Sequence, residues 1–167
     1  MIDPYAENRA RSGKISYGIS SYGYDFRLAN EFKVPDFSSA KCLDPKKMSR
    51  LSFGSIKGRT CLIAPNSFIL GRSVEYFRVP RDVLVICQGK STYARCGLAV
   101  NVTPFEPEWE GYVTICLVNT APVPVRVYAG EGIAQLIFLR GESECFTSYA
   151  DRKGKYQSQS QIQISKV

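Results

Sequence analysis

The sequence predicts a mostly β domain, a sandwich or barrel of antiparallel strands carrying one short helix. Three observations predict it. Short apolar runs recur along the chain, broken at close intervals by Gly, Pro, Asn and Asp, which is the pattern of strands joined by turns. Thirteen glycines and nine prolines among 167 residues suit turns and not long helices. Only Ser91–Cys96 reads as helical, for one or two turns, with Ser91 as its cap candidate after Gly89. Hydrophobic residues make up 44% and charged residues 22%, a globular composition of a length that suits one domain over residues 1–167.

Met1–Ser16 is polar and charged and reads as an N-terminal arm, either loose or a short helix. Strands are expected at Tyr24–Leu28, Glu31–Val34, Cys61–Ile63, Phe68–Arg72, Val74–Arg78 and Val83–Cys87. After the helix they continue at Leu98–Thr103, Tyr112–Asn119, Val123–Tyr128 and Ile133–Leu139. Alternate residues of a strand face opposite ways, so Val113, Ile115 and Leu117 form a core side. Tyr112, Thr114, Cys116 and Val118 form a mixed side able to line a pocket. Residues 151–167 are polar and rich in Gln, and read as a C-terminal lid, disordered or ordered over a ligand.

Histidine is absent, which removes Ser-His-Asp triads, Cys-His nucleophiles and His-ligated metal sites. No apolar run approaches the ~18 residues of a membrane span, and no basic-then-apolar start suggests a secretory signal. The charge sum, 22 − 15 = +7, suits a polyanionic partner without choosing among nucleic acid, membrane surface and nucleotide phosphates. Cys42, Cys61, Cys87, Cys96, Cys116 and Cys145 form no C-x-x-C pair. Their scatter points to reduced thiols in a cytoplasmic compartment, most of them small buried hydrophobes.

Three segments carry chemistry. In Gly89-Lys90-Ser91-Thr92-Tyr93-Ala94-Arg95-Cys96-Gly97, a glycine allows close backbone approach, hydroxyls and helix-start N–H groups follow, and Lys90 and Arg95 supply positive charge. These are the parts of a phosphate cradle, although a capped surface turn has the same parts and the Walker spacing is missing. Thr103 to Gly111 is an acidic turn with Glu106, Glu108, Glu110 and Trp109; it reads as a site or as a solvated hairpin tip. Gln135 sits inside the apolar strand after Gly130-Glu131-Gly132 and needs partners if buried, a phosphate or a neighbouring backbone.

These segments together resemble the dCTP deaminase branch of the dUTPase superfamily. The resemblance rests on Ser20 to Asp25, Pro65 to Phe68, Gly89 to Gly97, Asn101 to Gly111, Gly130 to Gln135 and Gly154 to Gln157, in the family's order. It implies a dUTPase-like distorted β-barrel or jelly roll that forms homotrimers, with active sites between subunits and a tail that closes over nucleotide. Triphosphate binding then falls on Lys90, Ser91, Thr92, Arg95 and Gln135, and on Lys155, Tyr156 and Gln159 of the tail. Glu106 falls where a carboxylate orients water or the sugar. The metal implied is Mg²⁺ carried by the triphosphate, with no zinc and no protein metal site, since the zinc-deaminase signature is missing.

The resemblance also exposes departures. The family's water-activating glutamate belongs at position 116, and this chain has Cys116. A neutral buried thiol is a poor base for water, so a substitute is needed, with Glu106 and Glu108 nearest in sequence. The tail has Ser158 where the family has Gly, which removes freedom to adopt positive φ. A helical segment expected ahead of the first strands is missing too. The reading is a deaminase converting dCTP, or a modified cytosine deoxynucleotide, and water to dUTP and ammonia. The alternatives are a nucleotide-binding homologue without turnover and a dUTPase-like pyrophosphatase using Glu106 and Mg²⁺. Neither a basic helix nor an aromatic platform speaks for nucleic acid.

Overall fold

The computed structural model describes residues 1–7, 12–38 and 40–166. Its strands are β1 (Ile2–Asp3), β2 (Gly18–Ile19), β3 (Gly23–Asp36), β4 (Ser52–Lys57), β5 (Thr60–Ile63) and β6 (Phe68–Arg78), then β7 (Val83–Gly89), β8 (Leu98–Asn101), β9 (Glu110–Asn119), β10 (Val125–Tyr128) and β11 (Gly132–Arg140). Helix α1 covers Ser91–Ala94, and a 3₁₀ segment covers Pro45–Arg50. The main sheet runs β7-β11-β3-β6-β9-β8, with β1 on β6 and both β2 and β4 on β3. A second sheet pairs β10 with β5. The pairings are antiparallel, as the strand spacing predicts.

Two pairs of expected strands are each one long strand. Tyr24–Leu28 and Glu31–Val34 merge into β3, and Phe68–Arg72 and Val74–Arg78 into β6. The sequence looks broken there because both strands shift register, between Leu28 and Phe32 and between Arg72 and Tyr76. A bulge interrupts alternation without ending the strand. At the β6 shift, the Ser73 hydroxyl donates to the Glu75 carbonyl at 2.6 Å and accepts from the Val113 N–H at 2.9 Å. Glu75 turns fully inward and is paid for by Arg27, whose Nε donates at 2.7 Å, and by the Arg27 N–H at 3.0 Å. A buried carboxylate needs such partners.

Some expectations are corrected. The arm makes no helix among its described residues; β1 instead pairs with β6, Ile2 opposite Phe77. Residues 8–11 of that arm lie outside the described ones. The helix is shorter than expected, and its cap is Lys90 without a side-chain cap bond, so Ser91 is the first helical residue. Of the six free thiols only Cys61 is buried, because the others sit in turns or on the half-covered side of strands. β4 escapes sequence reading because it is polar and mostly exposed, held along β3 with Lys57 opposite Glu31.

The core is the inward side of this barrel-like sheet. Val113, Ile115 and Leu117 of β9 are buried with Phe26, Phe77 and Leu136. The alternation read from the sequence is the alternation observed. Asn119 ends β9 as a buried hub. Its Nδ2 donates to the carbonyls of Ile63, Ala64 and Val123, and its Oδ1 accepts from the Ala121 N–H.

Candidate active site

The mixed side of β9 forms the floor of a cavity of about 500 Å³. Register places Cys116 between Leu70 of β6 and Asn101 of β8, and all three line it. Thr114 lies two residues along the same side. The acidic turn supplies Glu106, the one carboxylate among the described lining residues. Backbone bonds fix that turn: Phe105 and Val85 exchange two, and the Trp109 N–H donates to the Glu106 carbonyl at 3.0 Å. Glu108, the other candidate base, points elsewhere and pairs with Arg81 at 2.8 Å.

The tail covers this cavity in its own chain. Gln159 bridges to Gly111 in parallel fashion, and the Tyr112 N–H donates to the Gln159 carbonyl at 2.9 Å. The Tyr156 carbonyl accepts from the Trp109 indole at 2.9 Å. Tyr156 and Gln159 both line the cavity, with Tyr149. Lys155 is exposed and donates to the Lys166 carbonyl. The described tail residues Gln163, Ile164 and Ser165 line the cavity as well.

The cradle residues lie apart. Lys90, Ser91, Thr92, Arg95 and Gln135 are not among the described residues lining this cavity. Ser91, Thr92 and Arg95 are exposed, and Arg95 Nη1 donates to its own helix, the Ser91 carbonyl at 3.1 Å. Lys90 is engaged within the chain: Nζ meets Asp25 at 2.5 Å and Ser16 at 3.3 Å. Gln135 lies beside Asp25 and Gln88 in register, and its Nε2 donates to Ser20 at 3.0 Å. Sequence reasoning missed Asp25 and Ser16 as partners of the loop; Asp25 falls on the outward side of β3 by ordinary alternation, as Arg27 does, so no local signal marked it.

Burial pushes the Cys116 thiol above its ordinary value. At neutral pH it is therefore a thiol and not a thiolate, with no described cation to oppose the effect. Donors around the cradle are hydroxyls, an ammonium and a guanidinium. Such a set fits phosphate oxygens and leaves any divalent ion to the phosphates themselves.

The profile of one family, described as dCTP deaminase-like, matches residues 2–141. This chain belongs to that family. Two relatives extend the match through the tail. "dCTP deaminase" of Granulibacter bethesdensis is 59% identical over all of this chain and 91% of its own length. "dCTP deaminase" of Wolinella succinogenes is 54% identical over all of this chain and 90% of its own. The family's fold appears in solved structures too. The 2'-deoxycytidine 5'-triphosphate deaminase of Agrobacterium tumefaciens superposes with a TM-score of 0.62 at 14% identity. That match covers 84% of this chain but only 43% of the other, so this chain spans under half of its length. The dUTPase of EIAV superposes with a TM-score of 0.53 at 15% identity, covering 87% and 92% of the two chains. The dUTPase-like barrel expected from the sequence is thus the fold observed. No helix among the described residues is long and apolar enough to cross a membrane.

Proposed function

We propose that this protein converts dCTP and water to dUTP and ammonia. The relatives that match it from end to end at 53–59% identity are named dCTP deaminase. The observation that carries the chemistry is the cavity in which Glu106 and Cys116 face one space under the tail. Water adds to C4 of the cytosine ring, and Glu106 accepts its proton. The carboxyl passes that proton to ring N3 as the N3–C4 double bond opens; it then takes the remaining hydroxyl proton and delivers it to the exocyclic amino group, so the C4–N bond breaks and ammonia leaves. Oxygen from water becomes the new carbonyl. Cys116, a neutral thiol beside the ring, is a weak donor and not the base. General acid–base help of this kind is worth roughly 10²–10⁴-fold.

Lys90, Ser91, Thr92, Arg95 and Gln135 bind the triphosphate, with Lys155, Tyr156 and Gln159 from the tail. The separation of Lys90, Ser91, Thr92, Arg95 and Gln135 from the cavity within one chain supports a homotrimer, in which one copy's cradle faces the next copy's cavity. Residues 1–167 act as one domain, with 1–16 as arm and 151–167 as lid. Mg²⁺ would come with the nucleotide, whose phosphates Lys90, Ser91, Thr92 and Arg95 would hold, and would offset phosphate charge. Zinc is not invoked, since the sequence has neither His nor C-x-x-C. Free thiols suit a reducing, cytoplasmic compartment.

One observation favours a second reading. A neutral thiol where the family's glutamate belongs suits a nucleotide-binding homologue without turnover; a pyrophosphatase using Glu106 and Mg²⁺ is the remaining alternative. Incubation with a panel of deoxynucleoside triphosphates, with products read by mass, separates them. Ammonia and dUTP from dCTP support deamination. Pyrophosphate release, or tight dCTP binding with no product, overturns it.

A further inference from the structure

Residues 148–152 lie as a strap across the acidic turn, tied to each of Glu106, Pro107 and Glu108. The Tyr149 N–H donates to the Pro107 carbonyl at 2.9 Å. Arg81 stands between the turn and the strap, meeting Glu108 at 2.8 Å and Asp151 at 2.7 Å. Arg152 pairs with Glu106. The strap is itself preformed. Asp151 accepts from the Ser148 N–H at 3.0 Å, and the Ser148 hydroxyl, fully buried, accepts from the Asp151 N–H at 3.1 Å. The Ser148 N–H and Arg81 hold the Asp151 carboxyl below its ordinary value.

Beyond Arg152 the backbone turns left-handed at Lys153, with φ of 50°. Gly154 follows, where a Cβ would stand 2.1 Å from the Tyr149 ring. Tyr149 lines the cavity, and its hydroxyl accepts from the Tyr156 N–H at 2.9 Å. Neither Arg81 nor Arg152 lines the cavity; Arg152 pairs with Glu106, which does, and Arg81 holds Glu108 and Asp151, which lie next to lining residues along the turn and two residues from Tyr149 along the strap.

We propose that Arg81 and Arg152 are positioning residues that pin the strap across the turn and so set Glu106 and Tyr149 in the cavity. The inference rests on Glu106 as the water-activating carboxylate. The moving lid then begins after Arg152, at Lys153 and Gly154. Arg81 is suited to its part because one planar guanidinium serves two carboxylates at once, which an ammonium does less well. Without it Glu108, Asp151 and nearby Glu144, which lies 4.0 Å from Arg81, face one another as like charges.

The test compares R81A, R81K, R152A, R152K and E106Q in the full chain. Ammonia release from dCTP is read with kcat and KM separated. Misplacement of about 1 Å costs roughly 10²-fold, so R81A and R152A are expected to lose at least about tenfold in kcat with KM little changed. R152K recovers most of the rate, and R81K less. Amide exchange at Ser148 and Tyr149 is read in parallel and needs no turnover. R81A is expected to speed it by about tenfold or more, as loss of a charge-assisted bond implies, while β3 and β6 stay protected. Unchanged exchange in R81A overturns the strap. Loss of rate in E106Q with full rate in R152A overturns the positioning role alone. Full rate in E106Q overturns the assignment of Glu106 beneath it. A lower melting temperature with unchanged kcat marks both arginines as merely structural, and also overturns the proposal.

Discussion

The Thr114 hydroxyl holds the tail at two points: it donates to the Gln159 side-chain oxygen at 3.1 Å and accepts from the Gln163 N–H at 3.0 Å. Thr114 stands two residues from Cys116 on the same side of β9, so the tail's anchor and the cavity floor share one strand. Thr114→Val keeps the shape and removes both bonds. At about 1 kcal/mol per bond, the docked tail is expected to loosen by roughly tenfold or more. Faster amide exchange at Gln163 and a raised KM for dCTP check it. Unchanged exchange would mean that Ile162, buried against the body, and the bonds at Tyr112, Trp109 and Ser158 hold the tail without Thr114.

Cys116→Glu places a carboxylate between Leu70 and Asn101 in the cavity. It supplies a group that can take and give protons near neutral pH. Ammonia release from dCTP is expected to rise, by up to roughly 10²–10⁴-fold if the base is what limits the present rate. No rise, with dCTP still bound, would show that the cavity has diverged beyond this one position.

Arg95→Ala tests the cradle with little structural penalty. The guanidinium is exposed and its bond is to its own helix, so the fold is expected to keep its melting temperature. Loss of a charge-assisted phosphate contact should weaken dCTP binding by about 1.5–3 kcal/mol. Calorimetry that finds equal affinity would remove Arg95 from the site.

The barrel was legible because strand alternation and turn residues are local signals. β9 shows this best: Val113, Ile115 and Leu117 fall inward, and Thr114 and Cys116 fall toward a cavity, as period two requires. The bulges were not legible, since Ser73 and Glu75 look like breaks in a strand until Arg27 and Val113 are seen to satisfy them. Those partners lie 48 and 40 residues away, and no local pattern announces them. The same holds for Lys90, whose pairing with Asp25 spans 65 residues. Choosing between Glu106 and Glu108 likewise required the position of Arg81, a residue from another turn.

Burial makes the protein sensitive to alkali. The Cys87 thiol, on β7 opposite Leu136, is pushed up from 9.0 to about 12 by desolvation. In the unfolded chain it ionises near its ordinary value, while in the folded chain it stays protonated. Its contribution is therefore complete below about pH 9 and is lost as pH rises toward 12, on the order of 4 kcal/mol at most. Cys61, Cys116 and Tyr93 act in the same direction. Melting temperature is expected to fall steadily between pH 9 and pH 11, and Cys87→Ala to flatten that fall despite a lower starting value. An equally steep fall in the variant would assign the effect to other groups.

Ser158 adopts the left-handed conformation, φ 54°, although it carries a Cβ. The freedom expected to be lost with glycine is thus not lost; it is taken at a cost. Two bonds hold the residue there, the Ser158 N–H to the Glu110 carbonyl at 3.0 Å and its hydroxyl to the Glu110 carboxylate at 3.1 Å. The strain is roughly 1–2 kcal/mol for an L-residue, more than an exposed hydroxyl bond returns. Ser158→Gly should therefore favour the docked tail by up to about 1 kcal/mol, roughly fivefold in the docking equilibrium. Ser158→Val should oppose it, because a branched side chain tolerates positive φ least. Exchange at the Tyr112 amide, which donates to Gln159 only when the tail is down, reads both. Protection ordered Gly, Ser, Val from highest to lowest is the expected result. Equal protection in all three would show that the bend at 158 carries no strain that the lid must overcome.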